Sequence, residues 1–541
     1  MEVSVTYVDL IQLLVVLLGS LSLAVIFGKY LARMIIYEKR PLEKTLGRVE
    51  NEFYKLIGID KYQQMTWRQY FLALVVTNFI AACFLFGVLV FQDLLPLSPK
   101  SGLSLDLAFH TAASFVTNTD IQHYVGDKQL SIFSQMVGLT FMMFVAPATG
   151  ISAAFAFIRG FIRKDFGLGN FYVDFIRVII TFLLPVAFVS AILLMVLGVP
   201  QTLESSITVQ TLEGAPQTIT MGPIASLESI KEFGSNGGGF FGSNSAHPFE
   251  NPNGLSNIFE IILMLSIPFS FPIAYAHLLG KGRGVSILVV MITGFGILLI
   301  VGLLTQSGPA GLETRFGSFG SVLFNISSIA TNTGAANSAL IGMSPDAIIS
   351  LLVAMFIQAI PGADGTGMMT MIVYVVLTLF IVGLMVGKTP EFMSMKINSR
   401  DIKLAVFVFL IHPAIILIPT VIAYTNGDAQ QLLGSTTPMT FTQVLYEYTS
   451  SASNNGSDYL GASADTPFWN LSTALVVIVG RYVPLGLMLA IAGSFTIKDR
   501  KEVVEPIRTQ GPVFTSVLLI MTFLLTVLTF FPFLIMGPFS I

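Results

Sequence analysis

Residues 225 to 239 read ASLESIKEFGSNGGG: a mixed segment too short to cross a bilayer that runs directly into the small polar cluster Gly234-Ser235-Asn236-Gly237-Gly238-Gly239. The same order of parts occurs three more times. LDLAFHTAASF (105–115) leads into Val116-Thr117-Asn118-Thr119-Asp120, and FGSVLFNISSI (319–329) into Ala330-Thr331-Asn332-Thr333-Gly334-Ala335. MTFTQVLYEYT (439–449) leads towards Ser453-Asn454-Asn455-Gly456-Ser457. Each cluster is followed by a long apolar run, so the chain carries a fourfold internal repeat. A helix of this length reaches about 15 Å, half of a hydrocarbon core of about 30 Å, so each segment is expected to dip into the membrane and return.

The rest of the chain supplies the membrane. Of 541 residues, 54% are hydrophobic and only 11% charged, against roughly 25% charged in soluble domains. A soluble enzyme is excluded. Apolar stretches long enough to cross lie near 8–34, 70–92, 131–158, 172–199, 256–280, 284–305, 347–386, 403–424, 468–495 and 511–537, which predicts ten spans. The start lacks a basic segment and a small-residue cleavage site, so the first stretch is expected to be retained as a span. Cys83 is the single cysteine, which leaves no disulfide framework. A net charge of -3 with no basic stripe gives nucleic acid no footing.

Three quarters of the 28 Lys and Arg fall in the alternate connections 33–68, 159–164, 281–283, 388–403 and 498–508. The intervening connections hold only Lys100, Lys128, Lys231 and Arg315. The positive-inside rule therefore puts the basic connections in the cytoplasm and both termini outside. Lys29, Arg177 and Arg481 remain within spans; the first two are expected to snorkel to the cytoplasmic surface. The 347–386 stretch decides this count, because a continuous helix of that length would reach about 60 Å. It is interrupted by Pro361-Gly362-Ala363-Asp364-Gly365-Thr366-Gly367. Two crossings there would invert every later connection and place the 425–467 loop, which has no Lys or Arg, inside. One broken span is the consistent reading, and irregular backbone at membrane depth is sustained only where it faces protein or a water-filled cavity.

Four half-helices entering from outside would aim their C-terminal ends, each worth about half a negative charge, at mid-membrane, where they favour a cation. The Thr, Ser, Asn and Gly clusters then permit an extended return that turns backbone carbonyls towards a common axis, a lining suited to a weakly hydrated monovalent ion. Only Asp120 among the cluster residues is acidic, which argues against a divalent site. Outside acids Asp93, Asp106, Asp127, Glu204, Glu213, Glu228 and Asp465 outnumber the outside bases, giving a mouth that concentrates cations. Gly362, Asp364, Gly365, Thr366 and Gly367 beneath the clusters are gate candidates, and Arg481, at mid-span, is a candidate charge in an inner vestibule. Bland readings fall away elsewhere. Gly387-Lys388-Thr389 lacks the upstream glycine of a phosphate loop, and the five histidines show no zinc spacing.

These residues carry a family resemblance. SFVTNTDIQ (114–122), SIKEFGSNGGGFFGSNSAHPFENPN (229–253), TGAAN (333–337), SASNNGS (451–457) and the PGADGTG break together resemble the KdpA family, over essentially the whole chain. The resemblance implies an all-α polytopic membrane protein of the K⁺ transporter superfamily, with ten transmembrane helices. Four span–pore loop–span repeats with fourfold pseudo-symmetry are expected, with one extra helix at each end. In this sequence that divides the chain into 1–69 (first helix and cytoplasmic loop), pore repeats at 70–160, 161–281, 282–390 and 391–497, and the last helix at 498–541. It also implies a K⁺ filter at Thr117-Asn118-Thr119, Ser235-Asn236-Gly237, Asn332-Thr333-Gly334 and Asn454-Asn455-Gly456. K⁺ would be the only metal, with no organic cofactor and no catalytic residue, and the partners would be the ATP-hydrolysing KdpB, with KdpC and KdpF, in the bacterial inner membrane. The chain lacks both the TVGYG sequence of potassium channels and the Asp-Lys-Thr-Gly-Thr phosphorylation sequence, so the energy source is expected on another chain. A stand-alone channel or cation symporter is the alternative. An intramembrane hydrolase finds no nucleophile–base pairing.

Overall fold

The computed structural model describes residues 5–39, 41, 43, 45–162, 167–307, 312–499 and 507–540. Among them ten helices are long and apolar enough to cross a membrane. They are Tyr7–Ile35, Trp67–Val90, Ser134–Arg159, Phe171–Val196, Gly254–Leu279, Lys281–Thr305, Thr366–Val386, Ser399–Thr425, Pro467–Thr496 and Pro512–Met536. Their starts are written locally. Thr6 with Asp9 and Thr66 with Gln69 form capping boxes on the first two spans, as Asn253 with Ser256 does on the fifth, satisfying amides that have no partner within the helix. Proline opens the ninth and tenth spans, where its missing N–H costs nothing.

Between spans two and three, four and five, six and seven, and eight and nine lie the pore helices Leu105–Val116, Ile224–Phe233, Gly317–Ala330 and Pro438–Ser453. All four re-entrant segments are therefore helical, and the fourth runs longer than its apolar core suggests because Pro438 starts it early and Thr449 to Ser453 continue it. The seventh span is broken as expected: the half-helix Pro345–Ile357 ends at Gln358, and the chain resumes helix at Thr366. Thr366 and Gly367 thus belong to the second half rather than to the gap.

The third span is almost wholly inside the protein and carries the small buried residues Ala146, Ala148, Gly150, Ser152, Ala153 and Ala154. Small side chains let backbones approach closely where lipid gives no hydrophobic drive for association. The first span lies along the fifth through a stripe of Val16, Ser20, Ala24, Gly28, Leu31 and Ile35, spaced at helical intervals.

Several sequence expectations need correction. Arg177 does not snorkel freely; its guanidinium pairs with Glu50 at 3.4 Å and lies over Tyr37, because the amphipathic helix Leu46–Ile57 folds against the start of the fourth span. Glu228 and Lys231 are not at the mouth. Both are fully buried, with Lys231 Nζ 2.8 Å from Glu228, 2.8 Å from Glu250 and 3.4 Å from Glu232, since the second pore helix is enclosed on all sides. The stretch before that helix forms a hairpin, Ser206–Gln210 with Pro216–Thr220. Of the cations in the basic connections, Arg40, Lys44, Arg163, Lys164, Arg500 and Lys501 lie outside the described residues.

Candidate functional site: four loops meeting at one axis

Each pore helix ends in the same way. The amides of Thr119, Asn236, Thr333 and Asn455 each donate back five residues, to the carbonyls of Ser114, Lys231, Ser328 and Ser450, at 3.0, 2.9, 2.8 and 2.9 Å. The residue before each donor is left-handed: Asn118 (φ 62°), Ser235 (51°), Asn332 (51°) and Asn454 (54°). This is the Schellman ending, which satisfies the last helical carbonyls and turns the chain sharply. Asn accepts left-handed φ more readily than most residues.

The shared ending fixes the register. Ser235-Asn236-Gly237, Asn332-Thr333-Gly334 and Asn454-Asn455-Gly456 correspond as the sequence reading has them, but their counterpart in the first loop is Asn118-Thr119-Asp120. Thr117 occupies the helix cap, one position earlier. Asp120 therefore takes the place of a glycine, with φ of 57° where Gly334 has 84° and Gly456 has 97°.

The loops then converge. A β-carbon on Gly237 would lie 2.8 Å from the Thr119 carbonyl oxygen, 2.9 Å from Gly456 Cα and 3.0 Å from the Thr333 carbonyl oxygen. One backbone position of the second loop is thus within contact of all three others. A β-carbon on Gly456 would overlap the Thr119 carbonyl oxygen. Side-chain amides brace the crossing. Asn118 donates to the Ser235 carbonyl at 2.6 Å, and Asn332 to the Ser453 carbonyl at 2.9 Å. Asn454 donates to Thr119 Oγ1 at 2.9 Å, and Asn455 to the Ile329 carbonyl at 3.1 Å. Asn236 instead holds its own helix end and the third span, through the carbonyls of Ile230 and Met143. Hydroxyl pairs Thr117–Thr119 and Thr331–Thr333, each at 2.8 Å, repeat across the pseudo-symmetric loops. Gln122 was not singled out in the sequence, yet its amide both donates to the Gly239 carbonyl and accepts from the Gly239 amide at 3.0 Å, latching the first loop to the second.

Two cavities flank the crossing. One of about 530 Å³ has Gly334, Gly456, Gln122, Asp127, Asp458 and His247 in its wall. On the other side a cavity of about 50 Å³ is lined by Asn332, Asn454, Gln358, Thr366 and Arg481 among others. Arg481 is 5% exposed, and one guanidinium nitrogen donates to the Ala146 carbonyl at 3.2 Å. The broken span closes this side. Gly362 donates to the carbonyl of Ala330, the last residue of the third pore helix, at 2.9 Å. Asp364 is buried, and its carbonyl oxygen and an Arg481 nitrogen both crowd Gly150. Gly365 (φ 77°) rests on Ala154 and the Gly150 carbonyl. Residues of the Pro361–Gly367 break and Arg481 are therefore neighbours on this side of the crossing.

An architecture of four re-entrant loops around one axis admits several families, and the sequence match decides among them. Residues 13–540 match the family described as KdpA, potassium-transporting ATPase A subunit. The chain belongs to the KdpA family. Its activity is potassium transport, as the membrane-embedded transport subunit of the Kdp system. The fold agrees: the crystal structure of the potassium transporter TrkH from Vibrio parahaemolyticus superimposes with a TM-score of 0.56. The alignment covers 90% of this chain and 98% of that one at 13% identity, so the shared feature is the architecture.

Proposed function

We propose that the crossing of the four loops is a K⁺ selectivity filter, and that this KdpA-family chain takes K⁺ from the outside cavity, strips its water, and passes it on for ATP-driven uptake. The observation that carries the reading is the meeting of Thr119, Thr333 and Gly456 backbone at Gly237. Carbonyl oxygens at such an axis replace the hydration shell of a weakly hydrated ion. The filter residues are Asn118, Thr119, Ser235, Asn236, Gly237, Asn332, Thr333, Gly334, Asn454, Asn455 and Gly456, with Thr117 and Asp120 at the ends of the first loop. Below it, Arg481 repels cations that would linger in the inner cavity, and the Gly362–Gly367 break with Asp364 acts as the gate. ATP hydrolysis belongs to KdpB, and KdpC and KdpF complete the assembly in the bacterial inner membrane, with both termini of this chain outside.

Gly237→Ala tests the reading. Its methyl group enters the space between the Thr119 and Thr333 carbonyls, so the K⁺ concentration for half-maximal ATP hydrolysis by the assembled complex is expected to rise at least tenfold, with the preference for K⁺ over Rb⁺ reduced. Native K⁺ activation and native discrimination in that variant would sink the assignment. Reconstituting the chain alone separates the stand-alone channel, which requires K⁺ flux without ATP or partners.

A further inference from the structure

Beside the first and fourth loops lie two buried imidazoles that the sequence left without a role. His110 sits in the first pore helix and His123 in the first loop, four residues beyond Thr119; their rings stack with centroids 4.0 Å apart and planes 12° from parallel. Both are fully buried, and neither ring nitrogen of His110 has a hydrogen-bond partner among the described residues. His123 has two. Its Nδ1 is 2.8 Å from Asn470 Oδ1 and its Nε2 is 3.3 Å from Glu447 Oε1, and Glu447 belongs to the fourth pore helix, two turns before Asn454.

The protons in this arrangement can be counted. Asn470 Nδ2 donates to Asp106 at 2.9 Å and to Asp465 at 3.0 Å, so the oxygen of its amide faces His123 and the Nδ1 position must carry a hydrogen. On the other side, a bare Nε2 and an ionised Glu447, both fully buried, would present two lone pairs to each other. The contact holds only if one proton sits between them, on the imidazole as an ion pair or on the carboxyl group.

We propose that His123 and Glu447 are positioning residues for the filter: a clamp closed by a single buried proton that ties the first loop to the fourth pore helix and keeps Thr119 and Asn455 at ion-coordinating separation. The clamp rests on the filter reading above and deepens it. The groups facing it are His110 from the first pore helix, Asp458 from the loop after the fourth cluster, and Asp106 and Asp465 through Asn470. Burial by itself would strip the proton from His123. The hydrogen bond and charge of Glu447 outweigh it and hold the imidazole above its ordinary pKa. A group held above its ordinary value loses its proton only as pH rises through that raised value, so the clamp opens, and K⁺ affinity falls, on the alkaline side.

The test is K⁺ activation of ATP hydrolysis in the assembled complex between about pH 6 and about pH 9, around the imidazole range. Glu447→Ala is expected to weaken K⁺ activation at least tenfold and to reduce K⁺/Rb⁺ discrimination, with the maximal rate kept at saturating K⁺. Glu447→Gln donates an amide hydrogen to neutral His123, so it should restore near-native activation at neutral pH and abolish the alkaline fall. Native activation by Glu447→Ala overturns the clamp. If Glu447→Ala does not assemble, an alkaline fall in Glu447→Gln equal to that of the native complex overturns it instead. Gly237→Ala, measured alongside, separates the two ideas: native activation there defeats the filter itself, whereas a loss there with a native Glu447→Ala defeats the clamp alone.

Discussion

At the scale of single residues, the site depends on backbone conformations that few side chains tolerate. Four left-handed residues at equivalent positions, three Asn and one Ser, each carry a strain of about 1–2 kcal/mol, offset by the helix-end hydrogen bonds they close. The Thr-Asn-Thr triplet at 117–119 recurs at 331–333, and that repetition was the signal that the first loop is aligned from Asn118, leaving Asp120 at the glycine position. Composition alone could not reveal it, because register is set by where the helix ends and not by which residues are small and polar. Arg481 was legible, since an isolated charge at mid-span costs between about 2.5 and 17 kcal/mol without a partner or cavity; the cavity and its neighbour Asp364 required the fold. Arg481→Gln removes the positive charge beneath the crossing. Rubidium-tracer leak through the complex without ATP is expected to rise about tenfold, the effect of about 1.4 kcal/mol on the barrier. An unchanged leak would remove Arg481 from the vestibule.

At the scale of elements, length and hydropathy located all ten spans and the broken seventh one, because a crossing has a fixed size. What they could not locate were contacts made by burying charge. Arg159 at the end of the third span holds both oxygens of Asp174 at 2.6 and 2.8 Å, and Tyr70 from the second span donates to the same carboxylate at 2.9 Å. Both charged side chains are fully buried. Asp174→Ala leaves the guanidinium without its counter-ion, a loss of about 3–5 kcal/mol. A marked fall in the melting temperature of the purified complex is the expected result, and Arg159→Met combined with Asp174→Leu should recover much of it, as both charges then leave together. Equal melting of Asp174→Ala and the parent would show that the pair does not join these spans.

At the scale of the whole molecule, the repeats were legible because each has the same parts in the same order, and the fourfold arrangement follows once each half-helix must return to the side it entered from. Orientation rests on the distribution of Lys and Arg. In a Cys83→Ser background, which removes the exposed free thiol of the second span, Glu213→Cys in the turn of the Ser206–Thr220 hairpin is expected to react with an impermeant maleimide on intact cells. Lys61→Cys should react only after the membrane is opened. The reverse pattern would invert the topology.

Asp120 shows what a single polypeptide gains by building four quarters from one chain. In an assembly of identical subunits, any change at a pore-lining position is made four times over, and an acid there would set four carboxylates against one another. Here the four quarters are separate stretches of one chain, so a carboxylate stands in one quadrant while glycine keeps the other three, and each side of the crossing is free to diverge by itself.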